Sequence, residues 1–270
     1  MRTPPSALIA VSERRSTVQR LETMTRRYVV ITALAVATVT AVAIAIASPW
    51  AQENSATAAL VVPTMPPAGD FVRTIDNPYL PLTPGKIFVY KGTKDGVTAE
   101  NTVAVTHRTK TILGVQAVVV DDTASVAGEP EERTTDWYAQ DKLGNVWYLG
   151  EDSFDLVNGK WVRSEGSWEA GVDGASAGIV MEAHPEMNDT YRQEYYAGHA
   201  EDMARVLSLN ETVIVPYGSF DSVLETRDWT PLEPNVAEHK YFARGVGEIK
   251  SVMVKGGSEE MELVSVTRNK

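Results

Sequence analysis

The 270-residue chain has no cysteine. That absence excludes disulfides, thiolate zinc sites, cysteine nucleophiles and a lipidated N-terminal thiol. Stability outside the cell must then come from the packed core alone. A surplus of positive charge is missing as well: 25 Lys and Arg stand against 36 Asp and Glu, for a formal charge of −11. Beyond Ala51 the imbalance steepens to 19 basic and 34 acidic side chains, a net of −15. A field of that sign repels phosphate backbones and anionic headgroups, so nucleic acid is not an expected partner. The signatures of common catalytic sites are lacking too. Ser167, Ser219 and Ser222 stand outside any Gly-x-Ser-x-Gly elbow, and no glycine-rich phosphate loop occurs. His107, His184, His199 and His239 have no tight metal spacing. The acidic runs 129–132 and 151–155 miss the EF-hand register. Neither a cofactor nor a metal is expected.

Long uncharged apolar runs are scarce, and the main one carries information. Arg26-Arg27 precede residues 28–47, rich in Ala, Val, Thr and Ile, and small residues follow. A basic start, an apolar stretch and a small-residue exit describe a secretory signal, with cleavage after Ala47 or Ala51. Residues 1–51 are therefore expected to be a signal peptide. Met24 would start it cleanly, which makes residues 1–23 either an upstream mis-start or a long n-region. The stretch TRRYVV resembles a twin-arginine export signal, although Val29-Val30 departs from the usual Phe-Leu. The run also meets the roughly 20 residues needed to cross a bilayer. An uncleaved anchor is thus the alternative, and membrane association is expected only in that case. The expected location is secreted, periplasmic or cell-envelope.

Residues 52–70 are small, polar and proline-containing, and read as a flexible tether. From Phe71 on, short β-branched and aromatic runs alternate with turn signals: Lys94-Asp95-Gly96, Asn158-Gly159 and residues 255–258 (KGGS). An Asn-Gly pair permits the positive φ angles of a two-residue hairpin. No long segment sustains a 3.6-residue apolar period; residues 200–207 (AEDMARVL) are the one short helical candidate and could equally enter a strand. The pattern predicts an all-β, chiefly antiparallel domain over 71–270. Shifted by 104 positions the chain partly matches itself: Gly114 falls on Gly218, Glu129-Pro130 on Glu233-Pro234, and Trp137-Tyr138-Ala139 on Tyr241-Phe242-Ala243. Two related meanders, 71–160 and 187–267, are expected around a connector at 161–186, forming one curved sheet, a half-barrel or a sandwich.

The stretch 136–150, DWYAQDKLGNVWYLG, combines two aromatic pairs with potential metal-ligating carboxylates. Asp141 through Gly144 has the chemistry of a hairpin bend, since Asp can bond its own downstream backbone and Gly supplies positive φ. The matching segment YFARGVGEIK lacks the aspartate, which favours a turn over a ligand loop. Gly144 and Gly247 are expected to be matched turn glycines, and Asp141→Asn is expected to be tolerated far better than Gly144→Val.

The motifs Val213-x-Val215-Pro216-x-Gly218-x-Phe220 and Lys240-Tyr241-x-Ala243-x-Gly245-Val246-Gly247-x-Ile249-Lys250, together with DWYAQDKLGNVWYLGED and GSWEAGVDGASAGIVM, resemble an uncharacterised family of secreted bacterial β-proteins. The resemblance covers nearly all of the mature chain and implies no catalytic residues. At the level of fold, the meander is loosely similar to the half-barrel lipid and lipoprotein carriers of the bacterial envelope, a likeness that does not fix function.

Candidate ligand-binding residues follow from these features. Residues 166–178 break the strand rhythm with several glycines and could close over a cavity, with Trp168, Glu169 and Asp173 as the chemically capable side chains; the alternative is a solvated linker with one tryptophan in the core. His239 and Tyr241 sit on one predicted strand, where a buried imidazole beside a carboxylate could move protons or simply be structural. His199, Glu201 and Asp202 could join a metal site or form a solvated loop. The acid doublets Asp121-Asp122, Glu131-Glu132 and Glu151-Asp152 do not single out a catalytic pair. The leading expectation is an exported binding module for an apolar or amphipathic ligand, such as a lipid. The alternatives are an extracellular hydrolase using carboxylates and His239 or His184, or an interaction domain with no small ligand.

Overall fold

The computed structural model describes residues 61–269; the expected leader lies outside them. In chain order a short 3-10 turn (Ala68–Asp70) precedes β1 (Phe71–Val72), β2 (Lys86–Lys94), β3 (Val97–Ile112), β4 (Val115–Val126), β5 (Glu129–Asp141) and β6 (Val146–Val157). The connector holds β7 (Lys160–Arg163), β8 (Trp168–Glu169) and β9 (Ser176–Met181). Then come β10 (Thr190–Arg192), β11 (Glu194–Tyr195), β12 (Met203–Val215), β13 (Gly218–Trp229), β14 (Ala237–Ala243), β15 (Gly247–Lys255) and β16 (Glu259–Arg268). All pairings are antiparallel, and the fold is all-β, as the alternation predicts. The helical candidate at 200–207 enters β12 for most of its length.

The hairpins form where local chemistry permits them. Asp95 and Gly96 take φ of 50° and 78°, and Asn158 and Gly159 take 51° and 73°, as a two-residue hairpin requires. Gly144 and Gly247 have φ of 101° and 116°. The segments that match at a shift of 104 lie on β4 to β6 and on β13 to β15.

The sheet curls until it nearly closes on itself. Its hydrogen-bonded order runs β12-β13-β14-β15-β16-β2-β3-β4-β5-β6-β9, and the chain itself joins the two ends. β10 pairs with β12, and two residues later β11 pairs with β9. Gln193 is the switch between partners, its N–H donating to the Asp202 carbonyl at 2.8 Å. Gly178 makes the junction possible, because a Cβ there would lie 2.3 Å from the Gln193 carbonyl carbon and 2.5 Å from the Arg192 carbonyl oxygen.

Strand alternation then sorts side chains to the two faces of this barrel. Phe88, Tyr90, Val105, Val120, Leu224, Phe242 and Leu263 pack inside. Residues 73–85 cover one end, with Tyr79 and Leu82 buried in the inner cluster and Gly245 N–H bonded to the Pro78 carbonyl at 2.7 Å. On the outer face of β4 to β6 a second cluster forms from Val115, Val119, Trp137, Trp147 and Leu149. Met65, Ala68 and Phe71 cover it from one side, and Ala170 and Ala175 join it from the connector. The described part of the expected tether, from Val61 on, is thus partly docked rather than free. Covering both faces explains why Val118-Val119-Val120 is apolar without a break.

At the 141–145 bend, Asp141 Oδ1 accepts from the N–H groups of Leu143, Gly144 and Asn145 at 2.9, 2.9 and 3.0 Å. Its Oδ2 accepts from Asn145 Nδ2 and Trp147 Nε1, both at 2.9 Å. The stretch is a turn organised by a buried carboxylate. The five donors make position 141 a hub of the bend, a role that the local sequence does not show.

Candidate functional site

The acid doublets acquire meaning once the strands are in register. A doublet on a strand must send one carboxylate to each face. Asp121 points outward to Arg108, Asp152 outward to Arg163, and their neighbours Asp122 and Glu151 point into the barrel. Cross-strand pairing builds inward rows. Val103, Asp122, Thr134 and Ser153 form one; Asn101, Ala124, Glu132 and Asp155 the next; Val105, Val120, Asp136 and Glu151 a third. From the opposite wall come Asp228 and Thr226 of β13, Glu238 and Lys240 of β14, and Glu248 of β15. Asp202, just before β12, completes the group through its charge interactions with Lys240, Glu151 and Asp228.

A β-bulge sharpens the geometry on β6. Asp136 pairs with Glu151 and Tyr138 with Tyr148, so one extra residue is inserted between two pairs. Gly150 absorbs it at φ 132°, where a Cβ would lie 2.3 Å from the Trp168 carbonyl oxygen. The bulge puts Tyr148 and Glu151, three residues apart, on the same face. Tyr148 OH then lies 2.6 Å from Asp136 Oδ1 and 2.9 Å from Glu151 Oε2. A phenol carries one proton, so it can donate fully to only one of these two carboxyl groups at a time. Burial, followed by the Glu151 charge, raises Asp136; burial pushes Glu151 up to about 7.

The same cause acts around the wall. Burial pushes Asp122 up to about 6, Asp202 to about 7, and Glu132 and Glu248 to about 8. Lys240 behaves differently. Burial works against its charge, but the carboxylates of Glu238, Asp228, Glu248 and Asp202 outweigh it and hold the ammonium protonated. Its Nζ is 3.6 Å from Glu238 and 3.7 Å from Asp228. Protein surrounds this lysine, yet 31% of its side-chain surface is accessible, as on the wall of an internal space that admits water. Two polar atoms on inner-face side chains are buried without a hydrogen-bond partner: Tyr191 OH and Asn101 Oδ1. Each such orphan demands an explanation.

The residues singled out in the sequence do not form one cluster. Trp168 is 3% exposed, sets its ring edge-on to Tyr148 at 5.5 Å, and donates from Nε1 to Glu194 Oε2 at 2.6 Å. Glu169 bonds Lys110 at 2.7 Å, and that lysine lies 3.3 Å from the centroid of Trp137. Asp173 occupies an exposed turn at φ 49°. His239 and Tyr241 share Glu225, at 2.8 and 3.0 Å, on the face turned away from the lumen. His184 lines an open recess with Asp76, Gln140 and Arg244. His199 stacks on Tyr196 at 4.4 Å, Glu201 faces Arg192, and Asp202 alone of that trio joins the lumen. The connector does not span a mouth of the barrel: β7, β8 and β9 pair with β6 as an interrupted strand. Among the described residues, no three His, Asp or Glu converge as metal ligands would.

Neither a family model nor a curated protein matches this chain. Among solved structures it is similar to a candidate exported protein with a YmcC-like fold from Bacteroides fragilis, at 16% identity and a TM-score of 0.43, over 70% of this chain and 99% of that one. It is also similar to a candidate lipoprotein from Parabacteroides distasonis, at 12% identity and a TM-score of 0.39, over 71% of this chain and 100% of that one.

Proposed function

We propose that the mature chain is an exported envelope or extracellular binding module that holds an amphipathic ligand in the lumen of its barrel. What supports this is the lumen itself. Phe88, Val105, Leu224 and Phe242 make part of it apolar, while Asp122, Glu132, Glu151, Lys240 and Glu248 make another part ionisable. An interior divided in that way matches a molecule that is itself divided. Trp168 serves as wall rather than lid, joining Tyr148 to Glu194. Export rests on Arg26-Arg27 and the apolar run after them. Sequencing the N-terminus of the extracytoplasmic fraction should find Ser48 or Gln52; an intact Met1 or Met24 in membranes would establish an anchor instead. Native mass spectrometry after gentle purification should show a retained amphiphile. A clean apo mass, with no binding from a lipid panel, would remove the carrier reading.

One observation favours a second reading. Asp136 and Glu151 both bond the Tyr148 hydroxyl, an arrangement able to run acid and base chemistry near neutral pH. Hydrolysis of an extracellular substrate that disappears in Glu151→Gln would promote it. His239 could not assist there, because it faces the other side of the sheet.

A further inference from the structure

The lumen carries far more negative than positive chemistry. Asp122, Asp202, Asp228, Glu238 and Glu248 all act on the ammonium of Lys240. That ammonium approaches Glu238 and Asp228 no closer than 3.6 and 3.7 Å, beyond direct hydrogen-bond range. Lys240 therefore leaves acceptor capacity unused on the carboxylates around it. The acid group continues toward the end of the barrel remote from Tyr79. There Glu131, Asp155, Glu238, Glu259 and Asp95 interact through their charges around Lys94, which bonds Glu131 at 2.7 Å. A rim of one sign with low-dielectric walls concentrates counter-ions at its entrance.

A second, independent observation specifies the visitor. Tyr191 is 7% exposed and on the inner face: it pairs with Ala204, and Ala204 with Asp228. Its hydroxyl has no partner, and it lies near enough to Asp228 and Lys240 to feel both charges. Across the lumen Asn101 spends its amide N–H on Asp122 at 3.3 Å, while its Oδ1 is left without a donor. The phenol oxygen can accept, and the amide oxygen can do nothing else. An anion would add acceptors where acceptors already abound, and a neutral ligand would leave the charge surplus. A bare divalent ion needs oxygen ligands converging at 2.0–2.6 Å in general, and these carboxylates are spread around the wall.

We propose that the lumen is a binding site for an organic ammonium, a protonated amine that adds its N–H donors and positive charge beside Lys240. The inference rests on the carrier reading to the extent that this ammonium is the head group of the amphiphile. Asp122, Glu238 and Glu248 supply the counter-charge, and Asn101 Oδ1 and Tyr191 OH take the remaining N–H groups. The aromatic pair Tyr138 and Tyr148, stacked at 4.8 Å, gives the wall a surface against which an ammonium's methylene neighbours can pack.

The test is calorimetric titration of the purified full chain with four probes: dodecylamine, dodecanoate, dodecyl maltoside and 1,4-diaminobutane. The expected result is that dodecylamine binds at least about tenfold more tightly than the two tailed probes without an ammonium, the loss of one charge-assisted hydrogen bond being worth that factor. Equal binding of all three tailed probes would overturn the ammonium inference and leave the amphiphile reading standing. Binding of 1,4-diaminobutane with no preference for a tail would do the reverse, supporting the ammonium site and removing the amphiphile. No binding by any probe overturns both. The variant Asp122→Asn/Glu248→Gln separates recognition from folding. It should melt no lower than wild type at pH 7.5, since the buried Asp122 charge and a second buried acid are gone, while losing dodecylamine affinity by about tenfold or more. Unchanged amine affinity in that variant would also overturn the proposal.

Discussion

At Asp141 one carboxylate gathers five donors, three from the backbone of its own bend and two from the side chains of Asn145 and Trp147. The group is 2% exposed, so none of these donors can turn to water if the acceptor is lost. Asparagine keeps the shape but sets an NH2 against N–H groups. Asp141→Asn is therefore expected to destabilise by about 1–3 kcal/mol, and Asp141→Ala by more. A urea transition with a lower midpoint and an unchanged slope would record it; a wild-type midpoint would refute the hub. Three residues on, Gly144 sits at φ 101° with the Ala183 Cβ only 3.3 Å from where its own Cβ would be. Gly144→Val should cost more than about 1 kcal/mol, because a β-branched residue resists positive φ. Melting at the wild-type temperature would sink that argument.

Two glycines act at the scale of whole strands. Gly150 inserts the bulge that turns Glu151 toward Tyr148, and it lets β8 come within van der Waals reach of β6. Gly178 lets β9 pass the kink at Gln193, where the chain leaves β12 for β9. A side chain at 178 would meet backbone rather than a movable side chain, so it cannot be accommodated by a rotamer change. Gly178→Val is expected to open the sheet at this seam. Hydrogen exchange should then accelerate at Tyr191 through Tyr195 while β3, β4 and β5 keep their protection. Uniform protection in the variant would mean that the seam contributes nothing to closure.

For the molecule as a whole, the acidic lumen ties stability to pH. Asp122, Glu132, Glu151, Asp202 and Glu248 bind protons more tightly folded than unfolded, burial being the leading cause in each case. The folded state then holds more protons than the unfolded chain between pH 4 and 8, which makes the slope of unfolding free energy with pH negative. Their contribution is complete below the unfolded carboxylate range and is lost as pH rises through about 6 to 8. Thermal melts are expected to shift upward from pH 8.5 to pH 5. A melting temperature that falls over that interval would contradict burial of these groups as acids. An ammonium bound in the lumen should flatten the profile by compensating the charge at the alkaline end.

What the sequence determined by itself is what depends on neighbours a few residues apart. Alternating β-branched and aromatic residues made strands, Asn158-Gly159 and Asp95-Gly96 made tight bends, and Asp141 with Gly144 made a turn instead of a ligand loop. Period two is a property of the local backbone, and so is positive φ. Even the bend was legible only in kind, since the five-donor role of Asp141 needs Trp147 brought back from the next strand. The candidate site was not legible, and the reason is register. Each acid doublet announces one carboxylate on each face, yet which one faces inward depends on pairing between strands far apart in the chain. Whether the inner ones meet depends further on closure, through strands as short as β10 and β11 that no periodicity can mark. Lys240 and Asp122 are separated by most of the domain's length, and only the closed sheet makes them neighbours across a lumen. Burial then did what no sequence states: it moved the titration of these carboxyl groups up toward neutral pH.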